Sequence, residues 1–157
     1  MQPKDQERTE RIRNALRAAH LDLFLCTLPS NVLMLSGYWP VVGSALAVAT
    51  RDGAIAVISP EDERKLAERG WADVLHTFPS GSLENLQTVP EAAMHPLAEA
   101  AKAMHLPPKL RIGFEGKASF DPAGYAAKFI YGAGIHEILN TAFPEARVLY
   151  ASVVSHK

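Results

Sequence analysis

The chain has 157 residues, 48% of them hydrophobic and 21% charged, with a formal net charge of -1. This fits one globular domain able to bury a core, and the absence of a basic face excludes nucleic acid as an expected partner. A single cysteine, Cys26, excludes an internal disulfide; within the apolar run LDLFLCTL it reads as an inert core thiol.

The N-terminal stretch MQPKDQERTERIR is charged and lacks the apolar core of a secretory signal. No apolar run approaches the ~20 residues that cross a bilayer, so the expected location is the cytoplasm. From Pro3 to Ala19, Ile12, Leu16 and Ala19 recur at helical spacing. LDLFLCT predicts a strand covered on both sides. Pro29 breaks it, and Ser30 or Asn31 is placed to cap a short helix through Leu35. Gly37 opens a turn. SALAVAT and AIAVIS flank Arg51-Asp52-Gly53, which predicts a β-hairpin over Ala45–Ser59.

Pro60 and Glu61 open a predicted helix that Gly70 closes. ADVLHTF predicts a strand, and residues 79–90 predict a loop. An Ala-rich helix follows over Pro90–His105, in which Pro96 marks either a kink or a later start. KLRIGFEG predicts a strand, and Asp121 with Pro122 starts a helix over DPAGYAAKFIY. IHEILNTAF predicts a helix and ARVLYAS a last strand. Helices and strands alternate around one hairpin, which predicts an α/β fold, a mixed β-sheet flanked by helices.

The chain carries no self-sufficient catalytic set. Its six histidines form no H-x-H or H-x-x-x-H pair, and His136-Glu137 lacks the second histidine of a zinc helix. His20 and His105 fall at predicted helix C-termini, where an imidazolium meets the negative end of the helix dipole. Gly132 and Gly134 form no complete dinucleotide fingerprint, and no G-x-S-x-G elbow is present. Ser30, Ser36 and Ser44 have no base beside them and read as cap and turn residues. The carboxylates of PEDERK match a solvated helix face, with Glu61 and Lys65 spaced for pairing. No metal ligands are assigned in this chain.

Pro29, Asn31, Leu35, Ser36, Gly37 and Tyr38 match the pattern P-x-N-x-x-Y-L-S/T-G-F/Y; Asp52-Gly53 and Ile112-Gly113-Phe114-Glu115 follow in order. In that order the chain resembles the N-terminal domain of the creatinase/prolidase/aminopeptidase P family. Met34 stands where an aromatic is common, and the arginine usual shortly before Lys157 is missing.

The resemblance implies ribonuclease H-like layering and a single domain over residues 1–157. It also implies a C-terminal metal-binding catalytic domain that is absent from this chain. Two divalent metal ions would sit in that domain, where a metal-bridging hydroxide attacks the scissile carbonyl. The chain alone is expected to be inactive. Its implied work is to hold a homodimer and to wall the partner subunit's active site, where the substrate binds. The substrate is an Xaa-Pro peptide or, in a creatinase-like parent, a guanidino compound. A free-standing binding module that has lost the enzyme domain is the alternative from another class. The candidates for the cleft or dimer seam are Tyr38, Trp39, Gly43 and Ser44, the two aromatics being alternatively core residues packed beneath a helix.

Overall fold

The computed structural model describes residues 4–42, 44–84, 86–115 and 133–150. The helix predicted over DPAGYAAKFIY and the chain end after Tyr150 lie outside the described residues. In chain order the elements are α1 (Gln6–Ala18), β1 (Leu23–Cys26), α2 (Pro29–Ser36), β2 (Leu46–Thr50) and β3 (Ile55–Pro60). After them come α3 (Arg64–Ala67), β4 (Val74–Phe78), α4 (Val89–Ala103), β5 (Arg111–Phe114), α5 (Ala133–Ala142) and β6 (Arg147–Tyr150). The strands form one six-stranded sheet in the order β4-β3-β2-β1-β5-β6. Strands β1, β2 and β3 pair antiparallel, whereas β4, β5 and β6 join in parallel. The fold is thus the expected mixed α/β layer.

Alternation along the strands decides which helices cover which face. Leu23, Leu25, Leu46, Val48, Ile58, Ile112 and Phe114 point to the side covered by α4 and α5, through Ala93, Leu97, Ile138 and Leu139. Phe24, Cys26, Ala47, Ala49, Ile55 and Val57 point to the other side, against Leu16 of α1, Val32 and Leu35 of α2 and Ala67 of α3. The alanines of β2 keep this second face shallow, which lets α2 sit close to the sheet.

Helix ends follow local chemistry. Asp5 caps α1 by accepting from the Arg8 N–H at 3.0 Å. Thr88 and Glu91 form a reciprocal capping box on α4, which starts at Val89 and runs through Pro96. Both predicted C-terminal histidines occupy left-handed backbone, His20 at φ 55° and His105 at φ 53°. In each case two backbone N–H groups close the helix: His20 onto Arg17 and Leu21 onto Leu16, His105 onto Lys102 and Leu106 onto Ala101. This is the Schellman arrangement, filled here by histidine in place of the usual glycine.

Three local expectations are corrected. Neither Ser30 nor Asn31 caps α2: its cap position is Leu28, with no side-chain bond, and Pro29 takes the first helical position. The helix expected from Pro60 to Gly70 is a 3-10 turn at Glu61–Glu63 followed by the short α3. Gly70 lies beyond it; a Cβ there would sit 2.4 Å from the Ser36 carbonyl oxygen, so glycine allows close approach. Finally, PEDERK is not a uniformly solvated face: Glu63 is 4% exposed, and Glu61 pairs with Arg64 at 2.7 Å instead of with Lys65.

Candidate functional site, a loop held between buried carboxylates

Two segments distant in sequence meet at the start of α2. Glu115, which follows β5, brings its carboxylate to the loop after β1. It accepts from the Thr27 backbone N–H at 2.5 Å, the Thr27 hydroxyl at 2.9 Å, the Leu28 N–H, and the Asn31 side-chain amide at 2.5 Å. Charge-assisted bonds of this kind are among the stronger ones, and an anion at a helix N-terminus also meets the positive end of the dipole. The P-x-N and I-G-F-E patterns are therefore two halves of one device that anchors α2. The same carboxylate raises the pKa of buried Cys26, after the larger effect of burial itself.

At its other end α2 stops at Gly37, in left-handed backbone at φ 72°. The ring of Trp71 lies against this glycine, with Cζ3 2.4 Å from where a Cβ would stand. Trp71 donates its indole N–H to the Leu35 carbonyl and its backbone N–H to the Ser36 carbonyl, both at 2.8 Å. The Arg8 guanidinium stands 5.1 Å from the Trp71 ring centroid, so α1 helps hold the junction.

The chain then wraps around Glu63. Tyr38 turns inward, 2% exposed, and its hydroxyl donates to the Glu63 carboxylate at 2.5 Å. The Val41 and Val42 N–H groups donate to the same carboxylate, each at 2.9 Å. Burial, then the bond to Glu63 and its charge, push the Tyr38 phenol well above its ordinary pKa. With the backbone facing Glu63, the side chains face out: Trp39 is 48%, Val41 69% and Val42 61% exposed. Leu33 and Met34 on the outer side of α2 are exposed as well.

Of the four candidates read from sequence, Tyr38 is buried against Glu63 and Trp39 is exposed. Ser44 is half-buried just before β2, and Gly43 lies outside the described residues. Sequence reasoning missed Glu63 and Glu115 as organising groups. The only available signal for Glu115 was its place at the end of I-G-F-E; Glu63 gave none, being one of several carboxylates in a charged run.

A second polar cluster lies near the ends of β5 and β6. His136 Nε2 and the Tyr150 hydroxyl are 2.9 Å apart, and the Phe114 ring contacts both. Among the described residues, no group of three or more His, Cys, Asp or Glu side chains could hold a metal ion. No described helix is long and apolar enough to cross a membrane.

Comparison with known proteins points one way. The model of the Creatinase/Prolidase N-terminal domain matches residues 8–128. No curated protein matches the chain in sequence. Among solved structures, an aminopeptidase P from Streptococcus thermophilus is similar at 18% identity and TM-score 0.59, with 95% of this chain and 93% of that one covered. The N-terminal domain of the cytoplasmic peptidase PepQ from Mycobacterium tuberculosis is similar at 16% identity and TM-score 0.61, covering 96% of each chain. The prolidase from Pyrococcus horikoshii is similar at 19% identity and TM-score 0.54; the match covers 94% of this chain and 33% of that protein.

Proposed function

We propose, for a chain that belongs to the creatinase/prolidase N-terminal domain family, that it serves as the non-catalytic N-terminal domain of a dimeric Xaa-Pro peptidase. In this reading it abuts a catalytic domain of the same polypeptide. The loop after α2 meets the second subunit and helps wall its active site. Trp39, with Val41 and Val42, supplies the contact; Tyr38 anchors it; Ser44 leads the chain back into β2, and the sequence candidate Gly43 belongs to the same proposed seam.

The observation that carries this reading is the outward set of apolar side chains on a loop whose backbone is bonded inward. Exposed apolar side chains of this size are the usual substance of a contact surface, and tryptophan is enriched among residues that dominate binding. The structural relatives support the peptidase class, because their names are aminopeptidase P, prolidase and PepQ. That the chain spans 33% of the Pyrococcus prolidase supports a further domain in the parent. In this reading the two divalent metals of the reaction belong to that further domain, as the family resemblance implies. The cytoplasmic PepQ relative supports a cytoplasmic location.

The test uses the longest polypeptide that contains this chain. Trp39→Ala should weaken the dimer or raise KM for an Xaa-Pro dipeptide by roughly thirtyfold, the loss of about 2 kcal/mol typical of a central tryptophan. Sedimentation and steady-state kinetics read the two effects. A variant with the wild-type dimer constant and wild-type turnover refutes the contact role. Reading the coding sequence past Lys157 checks the parent, which should supply the metal-binding catalytic domain.

A further inference from the structure

Glu63 is a costly place for a negative charge. It is 4% exposed, and among the described residues no lysine, arginine or histidine forms a salt bridge with it. A buried carboxylate is unfavourable unless its oxygens are bonded. Here Oε2 accepts from the Tyr38 hydroxyl and the Val41 N–H, and Oε1 accepts from the Val42 N–H. Every one of these donors comes from the loop after α2. Two consecutive backbone N–H groups converging on one anion form a small nest. The outward side chains contribute little to the loop's shape, because Trp39, Val41 and Val42 are the exposed ones.

We infer that Glu63 is the positioning residue of this loop, fixing Trp39, Val41 and Val42 in their outward arrangement before a partner surface arrives. The inference rests on the reading of that loop as the partner-facing surface. It adds a cause: the surface is preorganised from the sheet, through the 3-10 turn that follows β3, so little ordering remains to be done on contact. Removing Glu63's acceptors should therefore weaken association and substrate affinity while leaving the chemical step alone.

Glu63→Gln keeps the size and replaces the two acceptor oxygens by one carbonyl and one amide group. Whichever way the amide is turned, a donor then faces at least one loop donor. The experiment compares Glu63→Gln with Trp39→Ala in the longest polypeptide containing the chain. Hydrogen exchange at Val41 and Val42 should quicken about tenfold or more in Glu63→Gln, in line with the loss of a bond to a buried charged group. KM for an Xaa-Pro dipeptide or the dimer constant should rise about tenfold, with kcat within about twofold of wild type. Tyr38→Phe, which removes one donor only, should shift both readouts less.

If Trp39→Ala weakens association and Glu63→Gln leaves exchange and affinity at wild-type values, the role of Glu63 is overturned and the reading of the loop stands. If Trp39→Ala changes nothing, the reading of the loop fails and the inference with it. Should Glu63→Gln not fold, wild-type exchange decides. Protection of the Val41 and Val42 amides by about a hundredfold supports the inference, and exchange at free-peptide rates overturns it.

Discussion

Substituting alanine for Gly37 should be costly for two separable reasons. The backbone there has φ 72°, where a Cβ costs about 1–2 kcal/mol. That Cβ would also stand 2.4 Å from Cζ3 and 2.5 Å from Cε3 of Trp71. The indole cannot simply retreat, because its N–H is bonded to the Leu35 carbonyl at 2.8 Å and its backbone to Ser36. Overpacking of this kind costs about 1–3 kcal/mol. Stiffening the unfolded chain returns about 0.4–1 kcal/mol. The net expectation is a loss of about 1–4.5 kcal/mol, or a Tm lower by roughly 2–18 °C. Urea titration followed by far-UV circular dichroism measures it, with an unchanged m-value as the check on two-state behaviour. Gly37→Asn separates the causes, since asparagine tolerates left-handed backbone but keeps the Cβ. A Gly37→Ala, Trp71→Leu double variant should recover about 1 kcal/mol or more of coupling. A Gly37→Ala variant within about 0.5 kcal/mol of wild type would refute the packing of Trp71 on this glycine.

Other expectations follow from the same contacts. His20→Gly and His105→Gly should each stabilise by about 0.5–1 kcal/mol, because both histidines sit at positive φ; a lowered Tm in either variant contradicts the Schellman assignment. Glu115→Ala should cost about 3 kcal/mol or more, since it strands the Thr27 and Leu28 N–H groups and the Asn31 amide; a denaturation midpoint equal to wild type contradicts that role. The Arg64 guanidinium, then the Thr77 hydroxyl, hold the exposed Glu61 carboxyl at a pKa of about 2, below its ordinary 4.5. A depressed folded-state value means that the stabilisation is present above pH 4.5 and is lost as pH falls through about 2. The Tm gap between wild type and Glu61→Gln should therefore close on acidification across that window; a gap independent of pH rules the pair out as a source of stability.

The sequence was most legible where neighbours in the chain decide the structure. The hairpin around Asp52-Gly53 and the strands LDLFLCT and RIGF carry their own periodicity and turn residues, and they fold as that chemistry dictates. What stayed hidden depends on partners far along the chain. Glu115 anchors α2 across 88 residues, so Ser30 and Asn31 looked like the local caps that helix needed. Glu63 shares a charged run with Glu61 and Asp62, and it is the approach of Tyr38 and of the Val41 and Val42 N–H groups that sets it apart from its solvated neighbours. Tyr38 and Trp39 are adjacent aromatics of similar size; the Glu63 bond turns one inward, and no local pattern says which.

The strand order has a consequence for the nascent chain. Strand β1, entirely apolar apart from its thiol, receives its second neighbour only when β5 emerges, because β5 lies beside it in the sheet while β2 and β3 precede β5 in the chain. The 88 residues between Thr27 and Glu115 take roughly 4–18 s to synthesise at ~5–20 residues per second. For that interval an unpaired LFLC edge stands open on the ribosome, a sticky template for any other extended segment nearby. Translation pausing between the emergence of β1 and that of β5 would lengthen that exposure.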